Sequence, residues 1–168
     1  MQPDLSRVGP FYHNYINQVP EHEIHEAFEK QSVSLFRFLE TIPSEKYEHR
    51  YAEGKWTIKE IVQHLIDAER VFVYRALRFA RKDATPLPGF DENLFAANAK
   101  TEKRTWDKLI EELKVVRRSS ELLFQSFDSD QLQSGGISSN TPNYVLGIGY
   151  IIVGHAIHHQ KIIKERYL

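Results

Sequence analysis

Two histidines four residues apart, His155 and His159, are the side chains of this 168-residue sequence best placed to do chemistry. On a helix, residues four apart lie on the same face, one turn from each other. The face they share is otherwise apolar, because it also carries Ile148, Ile151 and Ile152. An imidazole is costly in such surroundings unless a neighbouring polar group or a metal ion partners it. The pair therefore indicates either hydrogen-bonded core histidines or two ligands of one ion.

A third histidine, His64, stands at the border of the apolar stripe of an earlier helical segment, beside Ile61 and Leu65. Alone, it is typical of a hydrogen-bonded residue at the edge of a core. If its helix packs against the helix that carries His155 and His159, the three imidazoles face one another. Three protein ligands with open positions form the pattern of a catalytic metal site. The residues by themselves leave both interpretations open.

The other five histidines are less informative. His158 lies towards the edge of the stripe, where it is either half-exposed or a proton-transfer neighbour of the pair. The remaining four occur in irregular or charged segments, are expected at the surface and are assigned no ligand role; they are His13, His22, His25 and His49.

Several familiar catalytic motifs are missing from the sequence. Position 156 is Ala, so the segment is not His-Glu-x-x-His and lacks the general base of that motif. The chain has no cysteine, which excludes disulfides, cysteine-ligated zinc and a thiol nucleophile. Asp67 and Glu69 follow His64 closely, but a solvated helix face explains them more simply than catalysis. A single-metal site made of nitrogen ligands remains.

Composition indicates an ordinary globular protein. The net charge is -1, with 41% hydrophobic and 27% charged residues. No run of Lys or Arg stands without acidic neighbours, as a nucleic-acid binder would require. The apolar stretches are too short to span a membrane, and the N-terminus has no signal-peptide pattern. We therefore expect one cytoplasmic domain over residues 1–168, a small-molecule substrate, and neither nucleic acid nor membrane as a partner.

Four stretches with helical periodicity must position the histidines. They run over about 21–41, 58–81 and 101–127, and from Thr141-Pro142 towards residue 166. Thr57 and Glu60 form a capping box before the second, and Pro142 suits the first helical position of the fourth. Loops are predicted at 43–55, 83–98 and 128–140, the last one mobile, with residues 1–20 as an irregular or part-helical arm. The predicted fold is all-α, an antiparallel four-helix bundle with essentially no sheet.

Three segments resemble the DinB/YfiT-like family of metalloenzymes: Gly54-Lys-Trp-Thr-Ile-Lys-Glu-Ile-Val-Gln-His, Leu87-Pro-Gly-Phe-Asp-Glu and Gly154-His-Ala-Ile-His-His. The resemblance covers nearly the whole chain in element order and spacing, and the Trp-Thr-x-x-Glu…His block is its most specific part. It implies a four-helix bundle whose metal triad combines one histidine of the second helix with His-x-x-x-His late in the last long helix. Carried over, the metal ligands are His64, His155 and His159. The same resemblance implies a homodimer.

The resemblance leaves several reactions open, because the family includes thiol-dependent S-transferases, isomerases and metal-dependent hydrolases. We expect one divalent ion, zinc or nickel first, with iron or manganese also compatible. The first hypothesis is a transferase that activates a small-molecule thiol of the bacillithiol or glutathione type, since no carboxylate is clearly placed as a general base. The second is a hydrolase using metal-bound hydroxide. The third is a non-catalytic bundle in which the ion is structural or senses a ligand.

Overall fold

Helices account for most of the chain in the computed structural model, which describes residues 2–83 and 85–168. The α-helices are α1 (His13–Ile16), α2 (Ile24–Glu40), α3 (Ile58–Ala80), α4 (Glu92–Asn98), α5 (Trp106–Gln125), α6 (Ser129–Gln133) and α7 (Val145–Arg166). Short 3-10 helices occur at Leu5–Arg7, Pro10–Tyr12, Ser44–Lys46 and Thr101–Lys103. The four long helices α2, α3, α5 and α7 correspond to the four periodic stretches of the sequence, and the predicted bundle is confirmed.

The packing of the long helices makes α3 and α7 neighbours, although they are far apart in sequence. Helix α3 packs against α5 and α7, and α2 packs against the same two helices. Helix α7 is buried without interruption from Val145 to Ala156, because α1 and α6 also cover it. In residues 2–83 and 85–168, no helix is both long and apolar enough to cross a membrane.

The start of α3 follows the sequence prediction. The backbone N–H of Glu60 donates to Thr57 Oγ1 at 3.1 Å, and the backbone N–H of Thr57 donates to Glu60 Oε2 at 2.6 Å. This capping box satisfies two donors that would otherwise be unpaired at the helix end. It fixes the register from which His64 follows.

The start of the last long helix differs from the prediction. Thr141-Pro142 does not begin it; residues Thr141–Tyr144 form strand β2, which pairs antiparallel with β1 (Gly135–Ser138), and the helix begins at Val145. Ser139 and Asn140 connect the strands with φ angles of 51° and 61°, as a two-residue type I′ turn requires. Segment 128–140, predicted as a mobile loop, thus contains α6 and β1. The prediction missed this two-stranded sheet because four-residue strands are too short to show alternation.

The predicted loop 83–98 was also wrong in its second half, which forms α4. Asp91 caps this helix, since its Oδ1 accepts from the backbone N–H groups of Asn93 and Leu94, each at 2.9 Å. The turn-forming prolines and glycine are confined to the first half, where Ala84 lies outside the described residues. There Leu87 bonds to the hairpin, through its N–H to the carbonyl of Ile137 at 2.9 Å. None of the α4 side chains is buried, so α4 lies on the surface of the bundle.

Glu69 is buried in the bundle, contrary to the prediction of a solvated face. Its side chain is 4% exposed and receives two hydrogen bonds of 2.9 Å from the guanidinium of Arg117, which is 2% exposed. Ser120 Oγ donates to the same carboxylate at 2.7 Å, and Gln31 contacts the guanidinium. A buried carboxylate is tolerated when it is paired in this way. The sequence pattern did not reveal the arginine on α5 that pairs with Glu69.

The N-terminal arm packs directly on α7. Val8, Tyr12 and Ile16 are buried in the main core. A methyl group added at Gly154 would overlap the backbone carbonyl of Tyr15, so the glycine lets the arm approach the helix backbone. This contact brings the Tyr15 ring to the histidines of α7.

Candidate metal centre

The structure brings together the three histidines that the sequence singled out. His64 comes from the N-terminal part of α3, and His155 and His159 lie one turn apart on α7. Nε2 of His155 is 2.9 Å from Nε2 of His64 and 3.1 Å from Nε2 of His159. The two α7 side chains are buried, at 6% and 9% exposure, while His64 is partly buried. The three imidazoles therefore meet between the two helices, with Nε2 of His155 in contact with Nε2 of each of the other two.

Burial keeps these imidazoles neutral. It lowers the pKa of His64 from 6.5 to about 4. The pKa values of His155 and His159 lie well below 6.5, first through burial and then through the neighbouring imidazoles. A neutral imidazole has one ring N–H and one nitrogen lone pair. At pH 7 the cluster can therefore present lone pairs rather than positive charge.

The arrangement of donor atoms fits a divalent ion better than a hydrogen-bond network. Nε2 of His155 faces two other ring nitrogens but carries only one proton or one lone pair, so it cannot bond well to both. Imidazole nitrogens around a tetrahedral zinc lie roughly 3.3 Å apart. The two separations from His155 Nε2, 2.9 and 3.1 Å, are within a few tenths of an ångström of that spacing. In the described part of the chain, these three residues form a group whose ligand atoms all lie within 4.8 Å of one another.

The three histidines lie at a cavity of about 370 Å³. Aromatic rings form much of its wall: the Tyr15 ring centre is 5.3 Å from that of His155, and the Trp56 ring centre is 4.8 Å from that of His64. Helix α3, the arm, α4 and the hairpin turn all contribute. The lining residues are Phe11, Tyr12, Tyr15, Trp56, His64, Ala68, Phe72, Phe90, Glu92, Ser139, Thr141, His155 and His159. A small organic molecule would fit with its apolar part against the rings.

Glu92 is the carboxylate that lines the cavity, and the sequence did not identify it. Burial raises the pKa of the Tyr15 hydroxyl, and the negative charge of Glu92 raises it further. The carboxylate thus shares the cavity wall with the Tyr15 ring, which itself packs against His155. Glu92 falls within the Leu87-Pro-Gly-Phe-Asp-Glu segment that carries the family resemblance. Its place in that segment is the feature of the sequence that could have indicated a role at the site.

Asp67 and Glu69, the carboxylates considered from the sequence, do not line the cavity. Glu69 is held by Arg117, as described above. Asp67 accepts a hydrogen bond from Gln63 at 3.0 Å, and burial raises its pKa.

The remaining histidines are outside the cluster. His158 is partly buried, with its ring centre 5.2 Å from that of Tyr15, and burial lowers its pKa. His22 and His25 are exposed, as expected. His13 and His49 are partly buried rather than exposed, because His13 Nε2 contacts the Val8 carbonyl at 3.0 Å and His49 packs on another ring.

Comparisons with known proteins agree with this architecture. A sequence model of the DinB superfamily matches residues 27–163. A provisionally named metal-dependent hydrolase of Oceanobacillus iheyensis is 33% identical over an alignment of 92 positions that covers 50% of this chain and 53% of that protein. The chain thus matches about half the length of this relative. YfiT from Bacillus subtilis, described as a probable metal-dependent hydrolase with an unusual four-helix bundle topology, superposes with a TM-score of 0.72 at 16% identity over 87% of this chain and 89% of its own.

Proposed function

The chain belongs to the DinB superfamily, and we propose that it is a metal-dependent hydrolase whose ion is held by His64, His155 and His159. The observation that carries the proposal is the grouping of three neutral imidazoles, whose ligand atoms lie within 4.8 Å of one another, beside a cavity. The names of the relative and of the structural neighbour support hydrolysis over other reactions. Three imidazoles suit zinc or nickel.

The chemistry divides between the ion and the protein. A divalent ion, when bound, supplies Lewis acidity that lowers the pKa of a water molecule towards about 7. The histidines stay neutral because they are buried, so they leave the charge of the ion undiminished. Glu92 is proposed as the general base that takes a proton from the attacking water at its carboxylate oxygen.

The aromatic wall determines which substrates can enter. Phe72, Tyr15 and Trp56 present ring surfaces around the histidines. These rings exclude bulk water from the reacting bond and bind an apolar or aromatic group beside it. Aryl esters and anilides are therefore suitable first substrates.

The test compares hydrolysis of aryl esters and anilides by metal-loaded and chelator-treated protein. We expect turnover only with metal, its loss in His155→Ala, and a decrease of about 100-fold or more in kcat for Glu92→Gln. His158→Ala is the matched control on the same helix and should keep most of the activity. If the loaded protein hydrolyses neither substrate class, or if His155→Ala is as active as the unchanged protein, the proposal is wrong.

A thiol transferase is the second candidate. Hydrolysis as proposed depends on Glu92 as general base, and this residue is exposed on the surface helix α4 and not enclosed beside the histidines. A thiol transferase needs no general base at this position, which is the observation in its favour. An ion with three neutral ligands stabilises a thiolate on a small molecule, which the cysteine-free chain cannot supply itself. Consumption of glutathione or bacillithiol with an electrophile panel, without ester hydrolysis, would favour this reaction. Thiol binding should then release a proton.

A further inference from the structure

Arg75 is a buried positive charge without a negative partner in the described part of the chain. Its side chain is 2% exposed on α3. Among the described residues its hydrogen bonds go to uncharged oxygens: Nη2 donates to the Pro88 carbonyl and to Ser139 Oγ, each at 2.9 Å, and Nη1 makes a long contact of 3.5 Å to Tyr12 Oη. Arginine keeps its charge at any ordinary pH. An unpaired buried charge is unfavourable, so its presence calls for an explanation.

The other buried cations among the described residues each have a carboxylate partner. Arg117, also 2% exposed, has the bidentate partner Glu69. Lys59, 6% exposed, pairs with Glu48 at 2.6 Å. A role limited to tying the loop at Pro88 to the hairpin would not need a charge, since a neutral side chain can donate the same hydrogen bonds. Arg75 therefore differs from the buried cations that only stabilise the bundle.

Arg75 lies at the far end of the helix stripe that begins with the proposed metal ligand. His64, Ala68 and Phe72 line the cavity, and Arg75 continues the same face of α3. Eleven residues of helix correspond to about 16 Å between His64 and Arg75 along the axis. The cavity thus has a histidine end and a second end backed by a guanidinium.

Hydroxyl groups connect the guanidinium to the cavity. Ser139 Oγ accepts from Arg75, which leaves its own O–H available to donate, and Ser139 lines the cavity. Tyr12, also in the lining, presents a second hydroxyl to the same guanidinium. A donor polarised by a neighbouring cation binds an anion more strongly than a neutral oxygen does.

We infer that this end of the cavity, formed by Tyr12 and Ser139 with Arg75 behind them, binds a carboxylate of the substrate. A single guanidinium balances one negative charge, and Glu92 already contributes negative charge to the lining, so a monoanion matches better than a dianionic phosphate. The conclusion that the bound carboxylate belongs to a substrate rests on the proposed hydrolase function. The substrate would then be an elongated acid whose apolar middle lies on Phe72 and whose reacting bond lies at the histidines.

The test measures binding of benzoate and of benzamide, which share size and shape but differ in charge. The protein is freed of metal with a chelator, so that benzoate cannot bind through an ion and no turnover is needed. We expect benzoate to bind roughly tenfold or more tightly than benzamide. Equal affinity for the two probes, or no binding of either, would overturn the inference.

Two variants of the hairpin turn test whether the Ser139 hydroxyl donates to the bound carboxylate. Ser139→Gly removes the hydroxyl and suits the positive φ of 51°, so the hairpin should remain folded. It should reduce benzoate affinity severalfold and leave benzamide unchanged. Asn140→Gly, at the next position with φ 61°, is the matched control and should change neither. An unaltered benzoate affinity in Ser139→Gly would contradict the assignment.

Arg75→Met tests the charge itself. It should bring benzoate affinity down to that of benzamide, with the fold checked by circular dichroism. If it weakens both probes equally, Arg75 is a structural clamp and the inference fails. If hydrolysis cannot be detected but benzoate binding behaves as expected, the proposed reaction is wrong and the carboxylate site remains. If hydrolysis occurs but the benzoate results fail, only the substrate class is wrong.

Discussion

The stability of the metal-free protein should fall steeply as the pH drops below about 6.5. The cause is the histidine cluster, in which burial lowers the pKa of His64 to about 4 and holds those of His155 and His159 well below 6.5. The unfolded chain takes up protons at these three sites near pH 6.5, but the folded chain does not. Protonation therefore favours unfolding, and the stabilisation that is present above pH 6.5 is lost as the pH falls.

The size of the effect follows from linkage. Consider a histidine that becomes protonated in the unfolded chain but stays neutral in the folded protein. When the pH is lowered from about 7.5 to about 5.5, each such histidine reduces the free energy of unfolding by about 1.4 kcal/mol. Three such sites give about 4 kcal/mol, a large share of the stability of a domain of this size. Urea unfolding followed by circular dichroism, with a chelator present, measures this difference at the two pH values.

A triple variant separates the cluster from all other titrating groups. Replacing His64, His155 and His159 by Gln removes the three titrations and should abolish most of the pH dependence. His25→Gln alters an exposed histidine on α2 and is the control. If the triple variant loses as much stability on acidification as the unchanged protein, the buried neutral histidines are not the cause, and the electrostatic description of the site is wrong.

Further predictions concern the elements that hold the site. Arg117→Met should cost about 3–5 kcal/mol because it leaves the carboxylate of Glu69 buried and unpaired, and adding Glu69→Leu should recover much of that loss in urea titrations. Gly154→Ala should lower the melting temperature, at a cost of about 1–3 kcal/mol, because the new methyl group overlaps the Tyr15 carbonyl; limited proteolysis should then cleave the arm faster. Thr57→Ala should cost about 1 kcal/mol in thermal unfolding, since it removes half of the capping box.

The parts of the site that follow from local periodicity were predictable from the sequence. The spacing of His155 and His159 puts them on one face of any helix, and the capping box at Thr57 sets the register of His64. Which helices become neighbours is a property of the whole bundle. The family resemblance, rather than the spacing, indicated that His64 faces the other two residues.

The rest of the cavity depends on contacts between distant segments. Glu92 stands on a seven-residue helix that follows a stretch rich in turn formers, so no periodic pattern marked it. Ser139 reaches the cavity only because a type I′ turn closes a hairpin of two four-residue strands. In the sequence Arg75 is an ordinary polar position of a helix. That it is buried without a carboxylate partner among the described residues is seen only in the folded chain, where its guanidinium donates to the Pro88 carbonyl.

Metal binding by the purified protein tests the central claim most directly. Chelator-treated protein is titrated with zinc or nickel and compared with His155→Ala and with His158→Ala, which lies on the same helix outside the cluster. One ion should bind per chain, and His155→Ala should weaken its binding by at least about 100-fold, more than the loss of an outer-shell partner usually costs. His158→Ala should bind nearly as well as the unchanged protein. Equal metal content and affinity in the unchanged protein and His155→Ala would contradict the assignment of His64, His155 and His159 as one metal site.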